Sequence, residues 1–308
     1  MDCKIGVTAC CAVLVVFGIY LSIIDSQTIQ RRSAAMLKQY ESTPSLAGKE
    51  PVKFFTLLVP PAESLLHHSF YDTRMLDCWI RQLLGFGIRK EDINVISAGN
   101  ATLVNFEGEK VVAMHGVNLL RRPLVETANV IENYKYQYSK LWVFNETGYW
   151  VYLDTDLVFH QNPTICATAC RTALIHEDTR VCAAPDVFVP IVGETYTRIS
   201  NPSYFNAGFF ASRGSRRTFE WLMGNAAIYQ EHFRAFAEQG YLNKVFDGKV
   251  SFLPQACNYR RMWYEINYQK TNLIVIEHGK YGADPKVPIP TVCKSLYPEE
   301  AIKLARQP

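Results

Sequence analysis

The chain lacks any long run of positive charge. Its 32 Lys and Arg stand against 29 Asp and Glu, a formal charge of +3, so composition gives no footprint for nucleic acid. It has no internal repeat and no low-complexity segment, which argues against repeat architectures and long disordered tracts. No second Cys-x-x-Cys or His-x-x-x-His stands near Cys166, Cys170 and Cys182, so zinc binding there has little support. The small-residue cleavage pattern behind the one long apolar run is poor, which favours an anchor over the alternative of a cleaved signal. What is present is apolar bulk. The 308 residues are 48% hydrophobic and include 5 Trp, 17 Tyr and 17 Phe, enough to core one large domain or two small ones.

The apolar run is Ile5 to Ile24, twenty residues without a charge between Lys4 and Asp25. At about 1.5 Å per residue it matches a hydrocarbon core of about 30 Å, and we read it as a transmembrane anchor. Residues 1–4 are then a short tail, 25–51 a polar stem, 52–297 the folded domain and 298–308 a C-terminal tail. Flanking charge does not favour a cytosolic amino terminus, because Arg31, Arg32 and Lys38 follow the span. Two other features place the folded part in a lumen. Asn100-Ala101-Thr102 and Asn145-Glu146-Thr147 are glycosylation acceptors. Six cysteines beyond the anchor (Cys78, Cys166, Cys170, Cys182, Cys257, Cys293) permit three disulfides in any of about 15 connectivities; six buried thiols are the alternative. Cys3, Cys10 and Cys11 are acylation candidates or plain apolar filler.

Within the folded domain, Lys53 to Val59 is an apolar strand closed by Pro60-Pro61. Asp72 to Phe86 has helical spacing at Met75, Leu76, Trp79, Leu83 and Leu84 and ends at Gly85 and Gly87. Ile93 to Ser97 predicts a second strand, and Ala128 to Phe144 a helix. The run Trp150 to Phe159 is broken at its centre by two carboxylates and predicts a strand that ends in Asp154-Thr155-Asp156. This alternation predicts an α/β domain with a mostly parallel sheet flanked by helices. Strand residues two apart share a face, so both carboxylates meet one target. Two like charges held together need a cation, and a divalent one with oxygen ligands suffices.

Several motifs together resemble glycosyltransferase family 8, the glycogenin-like transferases. Tyr138-Ser-Lys140-Leu-Trp-Val-Phe144 followed by Tyr152-Leu-Asp154-Thr155-Asp156 resembles the family's helix and metal motif. Cys182-Ala-Ala-Pro-Asp186, Tyr204-Phe-Asn206-Ala-Gly208 and Glu238-Gln239-Gly240-Tyr-Leu242-Asn243 resemble its next three segments. Leu253-Pro254 with Asn258-Tyr259, then Ile274-Val-Ile-Glu-His278 with Lys286-Val-Pro288, resemble the last two. Six motifs in the family's order are far more specific than any one.

The resemblance implies a single Rossmann-like GT-A domain, here behind a transmembrane helix, that transfers sugar from a UDP-sugar with retention. It implies Mn²⁺ or another divalent cation on Asp154, Asp156 and His278, a donor set of hard oxygens and one imidazole. Lys140 and Lys286 would meet the diphosphate, and Leu57, Thr155 and Gly208 would line the donor. Asp186, Asn206 and Gln239 would hold sugar hydroxyls. Glu238 stands where the family has Asp, near the reacting carbon, and three roles stay open for it: stabilising an oxocarbenium-like centre, acting as nucleophile, or orienting substrate. The first strand, Thr56-Leu57-Leu58-Val59-Pro60, departs from the family's Thr/Asn-rich turn, Lys286 lacks the usual following Trp, and the loop Val187 to Pro202 is long enough to shape acceptor choice.

The expected partners are a UDP-sugar, a glycan, glycoprotein or glycolipid acceptor, and the membrane of the Golgi or ER, with no nucleic acid; a homodimer is also compatible. Other readings are a transferase of the yeast mannan galactosyl- or mannosyltransferase type, and an inactive relative that binds glycans or stabilises a partner.

Overall fold

A computed structural model describes residues 51–60, 73–100, 104–125, 136–175, 179–186, 204–229, 237–259, 274–279 and 289–296. The chain divides into Met1–Pro44, outside the described residues, and Ser45–Pro308, which carries every element below. The anchor, the stem to residue 50 and the tail from residue 298 therefore lie outside the description. Among the described residues no helix is long and apolar enough to cross a membrane.

The sheet begins with three strands in β-α-β order: β1 (Lys53–Leu58), α1 (Thr73–Gly85), β2 (Ile93–Gly99), α2 (Phe106–His115) and β3 (Asn118–Pro123). Helix α1 buries Met75, Leu76, Trp79, Ile80 and Leu83, the stripe expected of a helix packed on a sheet. Asn105 caps α2 by accepting from Gly108 N–H at 2.9 Å, and Gly116 ends it in the left-handed region at φ 67°.

A 3-10 helix, Gln137–Asn145, then leads into β4 (Gly148–Leu153). This replaces the α-helix expected to Phe144; residues 126–135 of that expectation lie outside the described ones. The segment is rich in aromatic and β-branched residues, poor α-helix formers. Its fully buried Tyr138, Leu141 and Phe144 are spaced by three, which aligns them on one face of a three-residue turn.

The chain continues with β5 (Leu157–Phe159), α3 (Thr164–Ala173), β6 (Val181–Pro185), β7 (Phe205–Gly214), α4 (Arg216–Tyr229), α5 (Ala237–Val245), β8 (Val250–Phe252) and β9 (Ile276–His278). Seven strands form one sheet in the order β3-β2-β1-β4-β7-β6-β8; β5 and β9 form a second. Strands β3, β2, β1 and β4 are mutually parallel, β7 is antiparallel to β4 and β6, and β8 is parallel to β6. The expected α/β class with a mostly parallel mixed sheet is what forms. Because β2 and β3 lie to one side of β1 while β4 lies on the other, the sheet reverses its winding between β1 and β4. Ligands in open α/β sheets bind outside the carboxyl ends of the strands at such a switch.

The run Trp150 to Phe159 is not one strand. It breaks after Leu153, and Asp154-Thr155-Asp156 forms the turn into β5. The core is aromatic around β4: Phe144 meets Trp150 edge-on at 5.0 Å, and Tyr152 stacks on Phe210 at 5.1 Å between ring centres.

All six cysteines beyond the anchor are paired, as Cys78–Cys293, Cys166–Cys257 and Cys170–Cys182. Buried thiols and a Cys166/Cys170/Cys182 metal site are thereby excluded.

Candidate active site and metal centre

Asp154 and Asp156 sit immediately beyond the carboxyl end of β4, at the switch point. The first is fixed by its peptide N–H, which donates to Gly208 O of β7 at 2.8 Å. The second opens β5, whose register sets Leu157 opposite His278 of β9. Gly279 N–H then donates to Asp156 O at 3.1 Å. A pairing across more than a hundred residues thus brings the third group to the first two. His278 Nε2 lies 3.3 Å from Asp156 Oδ1, and one ligand atom from each of Asp154, Asp156 and His278 falls within 4.8 Å of the others.

The imidazole rests on Gly208. A Cβ there would collide with His278 Cε1 and stand 2.8 Å from Asn206 Oδ1 and 2.9 Å from His278 Nδ1. His278 Nδ1 is buried with no hydrogen-bond partner among the described residues. The other ring nitrogen, Nε2, is the one beside Asp156, so the imidazole is placed to join the two carboxylates around a cation. Two carboxylates and one imidazole suit Mn²⁺ or a similar octahedral ion better than tetrahedral zinc.

Lys140 is buried, 4% exposed, on the 3-10 helix. Its Nζ lies 3.0 Å from Asp154 Oδ1 and 2.7 Å from Glu238 Oε1. Burial pulls the ammonium's pKa down, but the two carboxylates override it and hold Lys140 above the ordinary lysine value. For Glu238 burial wins: desolvation raises its pKa, and the opposing pull of Lys140 only partly offsets this. Tyr152 Oη donates to Asp154 Oδ1 at 2.9 Å, and burial followed by the charge of Asp154 drives that phenol far above its usual pKa. Asp154 and Glu238 receive the ammonium of Lys140 while Asp156 adjoins His278, so among the described residues acidic groups outnumber the ammonium here, which suits a divalent cation.

A second cluster adjoins the first. Gln239 Nε2 donates to Asp186 Oδ2 at 2.8 Å, and Asn206 Nδ2 donates to Gln239 Oε1 at 3.1 Å. The structure therefore joins Asp186, Asn206 and Gln239, the residues expected to hold hydroxyls. Glu238, their sequence neighbour, instead turns to Lys140. Leu57 on β1 is half-buried; extending the β1–β4 register by two residues sets it level with Asp154. Thr155 lies in the turn between the two aspartates. Lys286 and the loop from Val187 to Pro202 lie outside the described residues.

Three features of the site had no assigned role in the sequence. Tyr152 was signalled by its place two residues before Asp154, at the end of β4. Asn258 stands in a quoted motif and donates to Asn206 Oδ1 at 2.9 Å. Ala237, at the start of α5 beside Glu238, adopts φ 43°, a left-handed conformation costing a non-glycine residue about 1–2 kcal/mol. No sequence pattern announces that; strain of this sort gathers at functional sites.

No protein-family model matches the sequence, and no curated protein matches it. Among solved structures, the glycosyltransferase GlyE of Streptococcus pneumoniae TIGR4 is similar over 84% of this chain, at 13% identity and a TM-score of 0.48; the chain spans 62% of that structure's length. A cytidylyltransferase from Leptospira borgpetersenii serovar Hardjo-bovis (strain JB197) is similar over 66% of this chain and 75% of its own, at 13% identity and TM-score 0.38. A glycosyltransferase involved in glycosylation of the major capsid of PBCV-1 is similar over 83% and 98% respectively, at 12% identity and TM-score 0.39. Likeness at that level is a similarity of chain trace, and the function has to be read from the site.

Proposed function

We propose that the chain is a metal-dependent, retaining glycosyltransferase that moves a sugar from a UDP-sugar to a glycan, glycoprotein or glycolipid acceptor. The observation that carries this reading is the convergence of Asp154, Asp156 and His278 at the sheet's switch point, with Lys140, Glu238 and the Asp186–Gln239–Asn206 cluster on the same edge. Asp154, Asp156 and His278 would hold Mn²⁺ or another divalent cation, which when bound acts as a Lewis acid on the departing diphosphate. Lys140 holds Asp154 and Glu238 in place and keeps a positive charge beside the diphosphate's position. Lys286 is proposed at the same group. Asp186, Asn206 and Gln239 orient sugar hydroxyls, and Leu57, Thr155 and Gly208 line the donor. Retention follows from the family resemblance. Three disulfides support an oxidising compartment, and we place the domain in the Golgi or ER lumen, held by residues 5–24.

The test is Mn²⁺-dependent hydrolysis of UDP-glucose, UDP-galactose, UDP-GlcNAc, UDP-xylose and UDP-glucuronic acid, with GDP-mannose alongside, by the full chain. At least one donor should turn over, and Asp156→Ala should lower that rate by more than about a hundredfold, since even partners behind a metal ligand are worth about 10–100-fold. Unchanged activity in Asp156→Ala would remove the metal assignment. Turnover of GDP-mannose alone would favour the mannan-type reading. Absence of both Mn²⁺-dependent UDP binding and turnover would leave a binding or partner-stabilising protein.

A further inference from the structure

Two consecutive peptide N–H groups of β7 fix the direction of every side-chain amide around them. Ala207 N–H donates to Gln239 Oε1 at 3.0 Å, so that end of Gln239 is its carbonyl and its NH₂ must point to Asp186. Gly208 N–H donates to Asn206 Oδ1 at 2.9 Å, so Asn206 turns its NH₂ to Gln239. Asn258 faces the same Asn206 oxygen, at 2.9 Å, and must present its own NH₂ there. Amide orientation is often ambiguous; here backbone donors, which cannot reverse, decide it. The donors run one way, Asn258 to Asn206 to Gln239 to Asp186.

One atom is left over. Asn258 Oδ1 is buried and has no hydrogen-bond partner among the described residues, on a residue only 4% exposed. Flipping the amide would not help, because it would set two carbonyl oxygens against each other. The backbone on either side is pinned: Cys257 is disulfide-bonded to Cys166, and Tyr259 N–H donates to Ile276 O at 2.8 Å. A buried carbonyl without a donor costs about 1–3 kcal/mol, and Asn258 is joined through Asn206 to Gly208, against which the His278 ring rests.

We infer that Asn258 is a specificity-determining residue of the donor site, its Oδ1 accepting from one hydroxyl of the donor's sugar while its NH₂ holds Asn206. The inference rests on the nucleotide-sugar reading above and extends it to a residue which that reading does not use. The missing donor arrives with the ligand, and a sugar lacking that one hydroxyl leaves the oxygen orphaned again.

The experiment is a binding cycle with the full chain and Mn²⁺. The UDP-sugar from the panel that binds most tightly is compared with its monodeoxy analogues, on wild type and on Asn258→Ala, with UDP alone as control. Wild type should lose about tenfold to a hundredfold in affinity for one deoxy analogue. Asn258→Ala should bind the parent sugar that much more weakly and no longer distinguish it from that analogue, while UDP binds both proteins alike. If Asn258→Ala does not fold, Asn258→Ser replaces it, and the wild-type deoxy series stands by itself. Deoxy analogues that all bind wild type within about twofold of the parent would overturn the inference and leave a buried water as the partner. Equal discrimination by wild type and variant would overturn it too. Failure of UDP itself to bind with Mn²⁺ would instead bring down the nucleotide-sugar reading, and this inference with it.

Discussion

At Gly208 the main chain does three things at once. Its carbonyl accepts from Asp154, its N–H donates to Asn206, and its bare α-carbon lets the His278 ring lie against the strand. A methyl group there meets the His278 ring first and the Asn206 side-chain oxygen next, while β7 is held on both sides. Gly208→Ala should therefore push His278 off the aspartates while leaving the sheet intact. We expect Mn²⁺ affinity, read by calorimetry or by the free-ion electron spin resonance signal, to fall about tenfold to a hundredfold. An unchanged affinity would show that His278 is not a ligand. Lys140 makes the opposite point about charge. Its ammonium is buried because two carboxylates receive it, and removing the lysine would leave both without it at high cost. Glycine and lysine at these positions were visible in the sequence as parts of motifs. What each touches was not, because both contacts depend on chain segments far apart.

At the scale of elements, legibility followed how local the cause was. Strands β1 and β2 and helix α1 could be read because apolar runs and helical spacing reflect burial by the nearest layer. The strand leading to Asp154 and Asp156 is legible because a run of bulky apolar residues ends at the two carboxylates. The residues that turn the chain are the aspartates themselves, and no glycine or proline marks the break. Strand β9 owes its register to β5, and nothing near Ile276 states that. Helix α2 is tied to the sheet by Glu109, which accepts from Ser97 Oγ at 2.8 Å on β2 and from Arg121 Nη2 at 2.7 Å on β3. The hydrogen bond from Arg121 is the chief cause holding the Glu109 carboxyl below its usual pKa, against the opposing effect of burial. A carboxylate with a lowered folded pKa stabilises the fold above its unfolded value of about 4.3, and loses that contribution as pH falls through the folded pKa. Glu109→Gln should thus unfold at a lower temperature than wild type at pH 7, by about 1 kcal/mol in stability. That gap should close as pH falls below about 4. A gap independent of pH would mean that the carboxylate's charge does not tie the helix down.

For the whole molecule, the order of the sheet and the three disulfides answer the same problem, which is to hold an edge assembled from both ends of the domain. The candidate metal site joins residues 154 and 156 to residue 278, and β9 belongs to a two-stranded sheet apart from the seven-stranded one. Cys78–Cys293 fastens α1 to the 3-10 helix Thr291–Leu296, which follows β9 in the chain; Cys166–Cys257 fastens α3 to the segment leading to Asn258. These bonds close separations of 215 and 91 residues, against 12 for Cys170–Cys182. Restricting the unfolded chain is worth more for longer loops, about 3 kcal/mol near 15 residues and about 4.7 near 100 on the chain-entropy account. Replacing Cys78 and Cys293 together by Ser should therefore lower stability more than replacing Cys170 and Cys182, by about 2–3 kcal/mol in denaturant midpoint analysis. It should also weaken Mn²⁺ binding, because the segment carrying His278 loses its C-terminal tether. The Cys170/Cys182 pair lies away from that tether, so its loss should leave metal affinity unchanged. Equal metal binding by the two double variants would mean that β5 pairing by itself holds His278 in place.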